Sequence, residues 1–220
     1  MDKKFTDYNF LFKKAAKTHG YIIVDKKDLK EAVTISTPAF ETYPLFRYFT
    51  PEFNHRDWMD YRWRVFKAIY KDAVIFTDPT RKCAVVIFCN DYVKTKPSSY
   101  FFNGVWKSNR RLGKDVVKRI NDFEEFALQT RKKHTNCKGI YCFDIGVKKE
   151  AQGMGIGHSI NRFIQDFCDE HKLDAYFETH TIQNVEIYKK MGFTLVETLP
   201  VPNSNVTQYC FMYKHKTKHK

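Results

Sequence analysis

A chain of 220 residues with 38 Lys+Arg against 25 Asp+Glu carries a formal charge of +13. Apolar residues make up 43% and aromatics 16%, which excludes low-hydrophobicity disorder and is ample for a continuous core. The longest strongly apolar run, Ala84 to Cys89, is too short to span a bilayer, and Met1-Asp2-Lys3-Lys4 leads into polar sequence, so neither a membrane span nor a signal peptide is expected. Six cysteines lack CxxC spacing and are read as reduced thiols of a cytoplasmic protein. The histidines are dispersed, so no metal site is expected.

The N-terminal half is read as helix-rich. From Asp57, taken as an N-cap, Trp58, Tyr61, Val65 and Ala68 recur at helical spacing. Residues 73–77 and 82–88 read as an antiparallel strand pair around the turn at Asp78-Pro79. Val116, Ile120, Phe123 and Ala127 suggest a further helix. Ile140 to Val147 reads as a buried strand, followed by Gln152-Gly153-Met154-Gly155-Ile156-Gly157 and a helix with an apolar stripe at Ile160, Phe163, Ile164, Phe167 and Cys168. A strand over 173–179, a short helix over 184–191 stopped by Gly192, and a strand pair over 193–198 and 207–213 complete the chain.

The charge is spread over three groups: Lys107 to Arg119, Arg131-Lys132-Lys133 with Lys138, and a lysine-rich end read as a solvated tail. None has zinc-finger, basic-zipper or RNP-like spacing, so solvated faces are favoured over nucleic-acid binding.

Three of the nine glycines fall at 153, 155 and 157. A strand, glycine turn and helix present backbone N–H groups at a helix N-terminus, where an anion such as a pyrophosphate is favoured. A purely structural tight turn is the competing reading. A P-loop is excluded because Gly157-His158-Ser159 lacks the lysine, and a dinucleotide turn belongs in a first βαβ unit, whereas this one lies late.

Gln152-x-x-Gly155-x-Gly157 resembles the acetyl-CoA motif of the GCN5-related N-acetyltransferase superfamily, and it follows the strand ending Asp144-Ile145-Gly146-Val147. The companion motif is similar as well: Asn184, Tyr188, Gly192 and Phe193 in N-x-x-x-Y-x-x-x-G-F order. Ala39 to Pro51, Glu178-Thr179 and Val201-Pro202 further resemble the puromycin N-acetyltransferase-like branch. The resemblance implies an α/β (α+β) fold with a mixed, mostly antiparallel sheet splayed at the cofactor strand and helices on both faces. It implies one domain over 1–220, with an acceptor-side half at about 21–135, an acetyl-CoA half at about 139–213 and a basic tail at 214–220.

The same resemblance implies acetyl-CoA as co-substrate and acetyl transfer to a primary amine of a small molecule, in a monomer or homodimer. A protein amine as acceptor, a non-catalytic acyl-CoA sensor and, last, a nucleic-acid binder are the alternatives. It assigns the backbone of Ile145, Gly146 and Val147 to the pantetheine arm and the amides of Gln152, Gly153, Met154, Gly155, Ile156 and Gly157 to the pyrophosphate. Asn184 is expected at the pantetheine, with N-capping as its competing role. Tyr188 is expected to protonate the departing thiolate. Asp144 and Glu178 are the candidate bases, with Tyr141 a third option, and strand alternation leaves open which side each faces. On the acceptor side, Glu41 and Tyr43 are the candidate contacts within the aromatic, acidic stretch 40–61.

Overall fold

The computed structural model describes residues 3–89 and 95–216, with side chains from residue 8 onward in the first helix. In chain order the elements are α1 (Lys3–Thr18), β1 (Ile22–Ile23), α2 (Leu29–Ser36), α3 (Pro44–Phe49), α4 (His55–Ile69), β2 (Val74–Thr77) and β3 (Cys83–Phe88). There follow α5 (Pro97–Phe102), α6 (Val105–Leu112), α7 (Lys114–Thr135), β4 (Ile140–Val147), α8 (Ile156–His171), β5 (Ala175–Thr179), α9 (Ile182–Lys190), β6 (Thr194–Pro200) and β7 (Thr207–Tyr213). No described helix is long and apolar enough to cross a membrane.

Among the described residues, seven strands form one mixed, mostly antiparallel sheet in the order β1-β2-β3-β4-β5-β7-β6. Every residue of β3 is buried, as required of a central strand covered on both faces. Its alternation sorts the two cores. Cys83, Val85 and Ile87 pack with α1 and α8, through Phe12, Phe163 and Phe167. Ala84, Val86 and Phe88 pack with α2 and α4, through Leu29, Val33, Phe66 and Ile69. A third, aromatic cluster joins α3, α4 and α7 around Leu45, Phe49, Trp58 and Ile120.

Two features of β4 shape the site. It pairs with β5 in parallel at only two positions, Ile140 with Ala175 and Tyr141 with Tyr176, after which the strands part. It also carries a β-bulge against β3, where Val86 faces Asp144 but Ile87 faces Cys142. The extra residue, Phe143, breaks the alternation. Cys142 and Ile145 therefore lie on the α8 side, while Tyr141, Phe143 and Asp144 all reach the opposite side.

Several boundaries differ from the sequence reading. The N-cap of α4 is Asn54, whose side chain accepts from the Asp57 N–H at 3.1 Å, so the helix starts earlier than the Asp57 expected. Trp58 and Ala68 are buried as expected, Tyr61 and Val65 pack half-buried against the clusters, and Arg62, Phe66 and Ile69 complete the inward face. The end of the chain is not a free solvated tail over 214–216: Lys214 and His215 pair with Asp174 at 2.6 and 3.0 Å, and the Lys216 N–H bonds Asp169 at 2.7 Å. Residues 217–220 lie outside the described residues. Arg131 is not a solvated lysine-cluster neighbour either; it is buried, with its guanidinium 4.1 Å from the Tyr141 ring centroid. All six cysteines are buried and unbridged.

Candidate active site

The glycine turn lies where β4 ends and α8 begins. Gly153 and Gly155 have φ of +81° and +79°, a region that disfavours any side chain, and Gly155 is the N-cap. A Cβ added at 153, 155 or 157 would meet no atom within 4 Å, so these glycines are not required by internal packing. The first amides of α8 lack intrahelical acceptors and no side chain caps them. The Gln152 side chain turns back to donate to the Val147 carbonyl at 3.2 Å, fixing the loop to the strand end. Such a cradle fits an anionic group approached by backbone alone.

Ile145, Gly146 and Val147 pair with β3 along one edge, while β5 has left the other. That free edge is where an extended amide-bearing arm can add. Gly146 also matters for packing, because a Cβ there would stand 2.6 Å from Ser36 Cα and 2.8 Å from Ser36 O. Its lack of a side chain lets the end of α2 close on β4.

Across the splay, Tyr188 projects from α9 and packs edge-on against Phe177, with ring centroids 4.5 Å apart. Burial raises its pKa, and Tyr43, Cys142 and Cys83 are close enough to raise it further. No described residue hydrogen-bonds its hydroxyl. Asn184 does not cap α9, whose N-cap is Thr181; its Nδ2 donates to Thr179 Oγ1 at 3.0 Å. The Tyr43 hydroxyl lies 3.1 Å from that same oxygen and accepts from the His180 N–H at 2.8 Å. A hydrogen-bonded chain thus ties Tyr43 to the end of β5 and to α9.

On the α4 side the parted strands open into a cavity of about 420 Å³, lined by β4, β5, α3, α4 and α7. Asp144, Glu178 and Tyr43 line it. Glu41 does not; it lies at the surface, bonded to His55 at 2.5 Å.

The two carboxylates have different partners. Asp144 is held by Arg62 at 2.7 Å, and the same guanidinium donates to Ser36 and Thr37. Burial raises the Asp144 pKa, opposed by that Arg62 charge. Glu178 is pushed up to about 7, chiefly by burial, with Glu124 adding to the rise and Arg131 and a Tyr141 hydrogen bond opposing it. Its Oε1 is buried without a protein partner. Burial lowers His180 to about 4, so its imidazole is neutral at pH 7, and raises Tyr43 to about 12. A carboxylate poised near neutrality beside a cavity is suited to taking a proton from an ammonium.

Sequence reasoning missed Arg62, Glu124 and His180. For Arg62 a signal existed: it sits four residues after Trp58 and four before Phe66, an arginine inside a buried helical stripe.

No protein-family model matches the chain. A curated relative, an uncharacterized N-acetyltransferase of Schizosaccharomyces pombe, is 25% identical over 111 residues, covering 47% of this chain and 43% of the relative's length. The fold is similar to a protein described as histone acetyltransferase HPA2 and related acetyltransferase, from Corynebacterium glutamicum. The TM-score is 0.60 at 12% identity, over 91% of this chain and 98% of that one. It is also similar to the polyamine N-acetyltransferase of Drosophila melanogaster, which forms N-acetylagmatine. There the TM-score is 0.58 at 12% identity, over 88% and 98% of the two chains. The narrower resemblance to the puromycin N-acetyltransferase-like branch rests on the sequence motifs alone. The chain has the fold of the GCN5-related N-acetyltransferases.

Proposed function

We infer that the protein is an N-acetyltransferase that moves an acetyl group from acetyl-CoA to a primary amine of a small molecule, by direct attack in a ternary complex. The observation that carries this reading is the parting of β4 from β5, which has a side-chain-free glycine cradle beyond one end and an acid-lined cavity on one face. The amides of 152–157 would hold the pyrophosphate, and the free edge of Ile145, Gly146 and Val147 the pantetheine arm. Lys148 and Lys149 stand on the approach to that turn.

The chemistry needs a base and an acid. The acceptor enters as an ammonium and must lose a proton before its nitrogen can attack. Glu178 takes that proton, because Asp144 is already committed to Arg62. The C–N bond forms as the C–S bond breaks, the Tyr188 hydroxyl gives its proton to the departing thiolate, and the second proton shed by the acylated nitrogen restores the phenol. Tyr43, Thr179 and Asn184 are positioning residues that fix the end of β5.

Acetyl-CoA titration by calorimetry, followed by thiol release with a panel of amines, tests the reading. Micromolar affinity with amine-dependent thiol release is expected. Absence of affinity would overturn it, and affinity without turnover by any amine would make the protein an acyl-CoA-binding sensor.

A further inference from the structure

The cavity differs from the rest of the molecule in charge and in composition. The chain as a whole is strongly cationic, at +13. Yet the charged side chains lining this space are Asp144, Glu124 and Glu178 against a single arginine, Arg62. That arginine is spent on Asp144 and sealed by rings, its guanidinium carbon 4.5 Å from the Phe40 centroid and 5.3 Å from that of Phe66. The buried Arg131 also acts on Glu178 from behind Tyr141, so the cavity is close to charge balance and lacks the cationic excess of the molecule as a whole.

Asp144 and Glu178 rise from β4 and β5, and both keep a buried carboxylate oxygen, Oδ1 and Oε1, without a protein partner. Leaving such oxygens unpaired is costly unless a ligand donates to them. Glu124 acts on Glu178 electrostatically, which puts it at the same end. The rings that share the lining come mainly from α3 and α4. There Phe46 lies 4.8 Å from Trp58, Phe49 6.3 Å from Trp58, and Phe123 of α7 5.6 Å from Phe49. Rings in this arrangement accept an apolar, flat body. A cavity of about 420 Å³ takes a small molecule and is too confined for a folded chain segment.

We propose that the acceptor is a monocationic amine carried on an aromatic, otherwise uncharged body, with its ammonium at the carboxylates of β4 and β5 and its ring among the rings of α3 and α4. A carboxylate on the same ligand would meet Asp144, Glu124 or Glu178. A second ammonium on a long chain would be buried among hydrocarbon rings. This deepens the acetyltransferase reading and rests on it for turnover, although the site itself is defined by binding.

The test uses the full chain saturated with acetyl-CoA and four acceptors: 2-phenylethylamine, phenylalanine, spermidine and a lysine-bearing peptide. A kcat/KM for 2-phenylethylamine at least about tenfold above each of the others is expected. Equal or better turnover of spermidine, phenylalanine or the peptide would overturn the inference while leaving the acetyltransferase reading intact. Calorimetric binding of 2-phenylethylamine is measured in parallel, with 2-phenylethanol as its neutral counterpart. Binding without turnover would uphold the acceptor site and sink the acetyltransferase reading, whereas no binding would sink the site. In Glu124→Gln the affinity for 2-phenylethylamine should fall about tenfold with that for 2-phenylethanol unchanged, as loss of a nearby charge requires. Equal changes for both would overturn the placement of the ammonium.

Discussion

Glu178→Gln tests the proposed base through stability as well as rate. The glutamine keeps the shape of the side chain and an oxygen for the Tyr141 hydrogen bond, and removes only the titration. In the folded protein Glu178 titrates near 7, against an ordinary 4.5. At about 1.36 kcal/mol per pH unit, that rise amounts to about 3 kcal/mol. The sign follows from proton binding. Below pH 4.5 the carboxyl is protonated folded and unfolded, and no cost arises. As pH rises, the unfolded chain releases its proton first, so the folded state loses stability until Glu178 itself ionises near 7. Urea unfolding of both proteins at a series of pH values between 4 and 8 should show the wild type losing about 3 kcal/mol relative to the variant. The ascending limb of kcat/KM should have a midpoint near 7 in the wild type and vanish in the variant, with a rate lower by about 10²- to 10⁴-fold. Parallel stability curves would refute the burial argument, and an unchanged pH–rate limb would refute the assignment of the base.

Tyr188→Phe should lower turnover by about 10²- to 10⁴-fold with acetyl-CoA affinity unchanged, as measured by calorimetry and thiol release; equal loss of both would mean that the ring only packs on Phe177. Arg62→Met leaves the Asp144 charge buried without its partner and should cost about 3–5 kcal/mol in chemical denaturation. Adding Asp144→Leu should recover most of it, and failure to recover would locate the cost in lost ring packing. Gly146→Ala drives a Cβ into the Ser36 backbone and should destabilise by about 1–3 kcal/mol. Gly157→Ala meets open space, so its melting temperature should stay near the wild type while acetyl-CoA affinity falls.

The architecture of 139–213, the stretch proposed to hold the cofactor, was legible because its signals are local. Glycine positions, a strand before them and an apolar stripe after them lie within thirty consecutive residues, and β4, α8 and β7 stand where periodicity placed them. The acceptor half was not, because its cavity is built from segments far apart in the chain. Tyr43 meets Thr179 and His180 at separations of 136 and 137 residues. The facing of Asp144 depends on the bulge at Phe143, which follows from how β3 and β4 register rather than from either strand's own pattern. The inward face of α4 was read correctly at Trp58, Tyr61, Val65 and Ala68 but without Arg62, because a buried arginine counts as polar in any hydropathy pattern although its carbon stem and caged guanidinium occupy a core position. At the basic end Lys214 and Lys216 are exposed as expected; what the sequence did not show is the anchoring, Lys214 to Asp174 and the Lys216 backbone N–H to Asp169.

The two-rung joint between β4 and β5 also divides the molecule as an unfolding system. Beyond it, β5, β7 and β6 form a unit with its own ring stack, Phe177 on Phe211 at 5.4 Å and Phe193 across both strands' hydrophobic side. Few ladder hydrogen bonds cross the boundary, so opening at the seam costs less backbone bonding than elsewhere, and resistance to it falls to the apolar clusters that run across both faces. A ligand that grips both half-sheets removes that partial opening from the ensemble. Ligand affinity and the cooperativity of unfolding then become two readings of one linkage, with the seam between the strands as its hinge.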